Sequence, residues 1–268
     1  MPRWAIQPFR DFLNHTQEVV QLAHVSALGL SMLRGAPELM EAVQKAEAYE
    51  NELSEGERNI GAEEAAKRLE QVREEAKLAR QEVDKGFPLL YSQTLVSLWS
   101  SLEDLMHTFL AAWVTHAPGA KQAEALQMLR VKLSEYEALD DEEKGFYIVE
   151  LLEKEMRSQL KQGASRFEHL LGSFDLAGAV DSDVRESLFE MNHIRNVLVH
   201  RRGVVDRRFV DACPHLGFSI GDSVSVDRQS FDRYSESVAK YVLQVFSRVM
   251  DYFEATEADE GEIIEDIE

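Results

Sequence analysis

Residues 88–116, PLLYSQTLVSLWSSLEDLMHTFLAAWVTH, decide the fold class. Leu95, Trp99, Leu102, Met106, Phe109 and Trp113 recur at steps of three and four. That spacing aligns side chains on one stripe of an α-helix, and so aromatic a stripe belongs in a core. Pro88 stands at the first turn, where its missing N–H has no helical partner to lose. A second stripe (Gln93, Val96, Ser100, Glu103, His107) runs beside the first and is mostly polar. Polar groups flanking the main core helix must be solvated, paired or lining a site.

The same period extends outward in both directions. Phe9, Phe12, Leu13, Val20, Val25 and Leu28 predict an amphipathic helix over 9–33. Residues 37–84 are rich in Ala, Glu, Lys and Gln, and Leu69, Val72, Ala76, Ala79 and Val83 form a helix-packing seam. SEGERNIG at 54–61 reads as a break between two helices. The segment is therefore a helical hairpin, either packed on its own chain or offered to a partner as a short coiled coil. Residues 119–163 predict two further charged helices joined at ALDDEEKG. DSDV at 181–184 supplies acids and a capping hydroxyl for another helix, which carries Leu188, Met191, Ile194 and Leu198 inward and stops near Gly203. A small β-hairpin or irregular insert follows around SIGDSVSV, and a strong final helix begins near Ser230. The expectation is an all-α protein in three parts: a helical arm over 1–85, a main domain over 86–255, and a disordered acidic tail over 256–268.

Composition narrows the chemistry. The 268 residues carry 49 acidic and 29 basic side chains, a net charge of −20, which argues against broad, nonspecific nucleic-acid binding. One cysteine, Cys213, allows neither an internal disulfide nor a cysteine-based zinc site, and is expected as a small buried hydrophobe. No phosphate-cradling glycine loop or zinc helix is present, so no metal and no cofactor are expected. Asp11 and Glu18 interrupt the N-terminus where a signal peptide would be apolar, and no run reaches membrane-spanning length. The expected setting is cytoplasmic, with no membrane partner.

Against this acidic background, RNVLVHRRGVVDRR (195–208) holds five arginines and one acid. His193, Asn196 and His200 share a helix face, whereas Arg195 lies about 140° from His200. The Arg195–His200 pair converges only if the helix loosens or a second subunit supplies one member. Histidine moves protons near neutral pH, while arginine's fork of donors suits a phosphate or phosphorane. Together they suit RNA transesterification, in which the ribose 2′-hydroxyl is the internal nucleophile.

RNVLVH (195–200) resembles the Arg-x(4–6)-His motif of the HEPN superfamily, with the polar residue that often follows the arginine. The pattern is most similar to the RiboL-PSP-type group, where a long apolar helix like 89–106 precedes the motif helix. In that group a segment like RGVVDRRF with a later GD follows it. The resemblance covers roughly residues 86–255. It implies a HEPN-like helical bundle acting as a metal-independent endoribonuclease, with sites formed at a two-fold dimer interface and a role in toxin–antitoxin or anti-phage systems. Carried over by position, Arg195 and His200 are the catalytic pair and Asn196 positions the phosphate or histidine. Glu103 matches the acidic residue of the preceding helix. Arg201, Arg202, Arg207 and Arg208 are candidate RNA contacts. The implied partners are RNA, a second copy of the chain, and an antitoxin or defence-complex protein.

Each residue also has a structural reading. His200 complements a helix dipole, and Arg195 forms an ion pair. Asn196 and His193 sit idle on a polar face, Glu103 pairs with His107, and the four distal arginines neutralise nearby acids. The corresponding alternative function is a non-catalytic helical interaction or sensor module.

Overall fold

A computed structural model describes residues 1–53, 62–156 and 162–265. The predicted break at 54–61 lies outside the described residues. The elements are α1 (Arg3–Leu33), α2 (Ala36–Leu53), α3 (Ala62–Asp84), α4 (Pro88–His116), α5 (Glu124–Gln127), α6 (Leu133–Glu137), α7 (Asp141–Met156), α8 (Ala164–Gly172), α9 (Ser182–Arg201), α10 (Arg207–Ala212) and α11 (Arg228–Glu265). The fold is all-α, with no strand among the described residues. Of the β-hairpin or irregular insert expected after α9, the irregular insert forms, with one antiparallel bridge, Val204 with Ser223. Gly217 and Gly221 both take left-handed backbone there, which bends the chain before a ladder can lengthen.

Helix α4 is the axis, packed against α1, α7, α9 and α11. Every member of its aromatic stripe is buried, with Leu95, Trp99, Leu102, Met106 and Phe109 fully inaccessible. Aromatic rings stitch three helices together at one end. Trp113 meets Trp4 at 5.7 Å and Tyr252 at 4.9 Å between ring centres, and Phe9 meets Phe109 at 5.2 Å. Ala5, Phe9 and Phe12 thus belong to the main core, so α1 serves both core and arm. Farther along, α1 packs on α3, whose Ala76 and Ala79 are fully buried, so the predicted seam is used within the chain.

Three elements differ from the sequence reading. Helix α1 begins at Arg3 and contains Pro8, because the lost hydrogen bond is offset by the burial that Ala5 and Pro8 gain. The first of the two charged helices expected over 119–163 is broken into short turns, including α5 and α6. Gly119 is left-handed, and none of the residues in α5 and α6 is buried, so no core face extends them. At the other terminus α11 continues to Glu265, into the segment read as a disordered tail.

One helix end is fixed by a side chain from elsewhere and another by its own backbone. Glu82, nearly buried on α3, accepts from the Leu89 and Leu90 backbone N–H groups at 3.1 and 3.2 Å, supplying an anion at the α4 N-terminus. At the C-terminus of α9 both Arg202 and Gly203 are left-handed, and the Gly203 N–H donates to Val197 O at 3.0 Å. A Cβ on Gly203 would come within 3.1 Å of Val224 O, which adds to the requirement for glycine.

Candidate functional site

The N-terminal two-thirds of α9 is buried on most of its circumference, between α4, α8 and α11. One edge, carrying Asn192, Arg195 and Asn196, opens on a pocket of about 810 Å³ walled by α4, α7 and α8. Glu103 crosses to this edge from the polar stripe of α4. Its two oxygens accept from different guanidiniums, Arg195 at 3.2 Å and Arg166 at 2.9 Å. Arg166 also donates to Glu153 at 3.1 Å, and Glu153 accepts from His107 at 2.9 Å. Arg195 donates to Asn196 Oδ1 at 3.1 Å. The result is one ion-pair chain joining α9, α4, α8 and α7.

Its electrostatics follow from this pairing. The hydrogen bond to Glu153 holds the His107 imidazole above its usual range, outweighing partial burial. Burial alone favours protonated Glu153, but His107 and Arg166 hold its carboxyl below the usual range. At the mouth stand exposed Arg130, Lys132 and Lys154. The lining contains five cations against the carboxylates Glu103, Glu135, Glu150 and Glu153. A pocket whose lining is net positive, on a chain of net charge −20, favours an anionic ligand.

His107 gives a pH prediction. Its pKa is raised in the folded state, so its stabilisation is complete below the unfolded value of 6.5 and is lost as pH rises through the folded value. His107→Gln is therefore expected to lower the melting temperature at pH 6 and to converge with wild type at pH 9. Equal losses at both pH values would show that the interaction does not depend on charge.

The sequence-derived residues divide. Arg195, Asn196 and Glu103 come together; Glu103 bonds to two arginines and not to its helical neighbour His107, because long-range guanidiniums reach both its oxygens. His200 stands apart. It is exposed on the last turn of α9, is not among the pocket's lining residues, and has no hydrogen bond or ion pair among the described residues. Because α9 stays helical through Arg201, no loosening brings His200 round to Arg195. His193, expected on an idle polar face, is instead nearly buried against Phe189, with ring centres 4.5 Å apart. Burial pushes its pKa down. Among the distal arginines, Arg201 meets Asp206 and Arg207 meets Asp211, both at 3.6 Å. Arg202 and Arg208 are exposed without ion-pair partners among the described residues.

Arg166, Glu153 and Asn192 went unmarked in the sequence. Arg166 lies 63 residues from Glu103, a separation at which no local periodicity signals pairing. A second polar cluster was also missed. Glu190, 2% exposed, binds His215 at 2.7 Å, the Tyr234 hydroxyl at 3.0 Å and the Arg233 guanidinium. Glu186 joins Glu190 and His215 within 4.8 Å, a set able to offer three metal-ligand atoms, although Arg233 already neutralises Glu190. Cys213 is buried as expected, and burial pushes its thiol up to about 11, which removes it as a nucleophile. No described helix is long and apolar enough to cross a membrane. Comparison with protein-family models, curated proteins and solved structures returns no match.

Proposed function

We propose that the chain is a metal-independent endoribonuclease of the HEPN type, acting as a dimer in a toxin–antitoxin or anti-phage setting. The observation that carries this reading is the placement of Arg195 and Asn196 on the wall of a net-positive pocket in a strongly acidic protein. In this reading the Arg195 guanidinium, held by Glu103 and Asn196 on the pocket wall, lends its charge to a phosphate of the substrate. His200, on the other side of the same helix end, is exposed and unpaired, as a proton-transfer group awaiting a second chain would be. Exposed Val199, Val204 and Ile220 surround that end and offer apolar area for a two-fold contact.

In this reading the 2′-oxygen attacks phosphorus, His200 of the second copy moves the proton, and Arg195 stabilises the pentacoordinate phosphorane. The products carry a 2′,3′-cyclic phosphate and a 5′-hydroxyl. Incubating the purified dimer with total RNA and tRNA in excess EDTA is expected to give those ends. No cleavage above the His200→Ala background would remove the enzyme claim, and cleavage lost on adding EDTA would remove the metal-independent mechanism.

A second reading draws on the ion pair itself. Arg195 is held by Glu103, and α1 exposes Leu13, Leu22, Val25, Leu28 and Met32. Both features suit a non-catalytic interaction module. That reading predicts a folded protein that binds a protein partner and leaves RNA intact.

A further inference from the structure

Asn192 is a nearly buried residue of the pocket without a hydrogen bond among the described residues. It precedes Arg195 and Asn196 by three and four positions on α9, so the three share one face with β-carbons about 5–6 Å apart. The residue is 8% exposed, and its side chain lines the pocket. Its primary amide brings two donors and an acceptor oxygen, which no protein group engages and which are open to a molecule in the pocket. The Nε–H groups of neighbouring Arg195 and Arg166 are buried without partners. An amide left free by the protein beside a cationic pocket suits a ligand that joins an anionic group to a polar edge.

We infer that this pocket is a nucleotide subsite in which Asn192 hydrogen-bonds the edge of a base while Arg195 and Asn196 hold that nucleotide's phosphate. The inference rests on the endoribonuclease reading and adds the position of the base. The amide's adjacent donor and acceptor match the paired donor and acceptor on a base edge. Tyr147 on the α7 wall offers a flat ring for stacking, and its hydroxyl lies 3.4 Å from the Lys132 backbone nitrogen, at the cationic mouth. In this subsite a bare phosphate meets the cations and leaves the Asn192 amide unused, so the pocket discriminates in favour of a whole nucleotide.

The test is calorimetric titration of the full-length protein with the four nucleoside 3′-monophosphates and, separately, inorganic phosphate. At least one nucleotide is expected to bind about tenfold or more tightly than phosphate. Asn192→Ala should abolish that margin while leaving phosphate binding unchanged. Asn192→Leu keeps the approximate shape and removes donors and acceptor without adding charge; it supplies the same readout if the alanine variant fails to fold. Equal affinities of wild type for nucleotides and phosphate would overturn the inference, as would a margin that survives loss of the amide. Binding of neither ligand would overturn both the inference and the endoribonuclease reading. Nucleotide binding that depends on Asn192, in a protein that does not cut RNA, would uphold the subsite and remove the enzyme.

Discussion

His200→Ala is expected to lower the rate of RNA cleavage by about 10²–10⁴-fold, the usual contribution of a positioned general acid or base. The same substitution should leave stability within about 0.5 kcal/mol of wild type, because the side chain is exposed and unpaired. That separation of activity from stability is the signature sought. Arg195→Ala is expected to match the loss in rate but not the stability. It removes one of the two guanidiniums on Glu103 and leaves that partly buried carboxylate to Arg166 alone. Cleavage rate and thermal melting, measured on both variants, check the pair. A His200→Ala protein that melts like wild type and cuts RNA at the wild-type rate would return His200 to the role of a dipole-complementing surface residue.

The largest stability effect is expected at Trp99. It is fully buried on the α4 stripe, 5.8 Å from the ring of Phe167, and anchors the segment that presents Glu103 to the pocket. Trp99→Ala deletes the ring and leaves a cavity, for an expected loss of about 3–5 kcal/mol. In a protein of this size that corresponds to a fall in melting temperature of about 6–20 °C. The indole N–H has no partner, however, so Trp99→Phe removes an unsatisfied donor along with part of the ring. That relief offsets part of the cavity term, and the phenylalanine variant should lose less than about 2 kcal/mol. Denaturant titration of the two variants measures both effects. Equal losses would show that the indole nitrogen contributes more than its surroundings indicate.

The helices that build the core were legible because each carries its own apolar period. The α4 stripe, the inward positions of α9 and the run from Val238 to Val249 in α11 all declare a buried face over several turns. The segment 119–139 did not yield to the same reading. Its short turns bury little, so local composition suggested a helix that no core face supports. The site divides along a similar line. Arg195 and Asn196 were visible as a contiguous motif, and Glu103 as a polar residue beside a core stripe. Arg166, Glu153 and Asn192 were invisible, because their relation to the motif exists only once α7, α8 and α9 are packed together. Glu103 pairs with Arg195 across 92 residues, which no helical spacing can encode.

The central claim, that Arg195 of one copy acts with His200 of another, is tested most directly by subunit complementation. Arg195→Ala and His200→Ala proteins, each inactive alone, are mixed, allowed to exchange subunits, and assayed for RNA cleavage. Random exchange makes half the dimers mixed, and each mixed dimer contains one intact composite site, so activity should recover to about a quarter of wild type. A mixture that exchanges subunits but stays at the level of its parents would contradict a site shared between two chains.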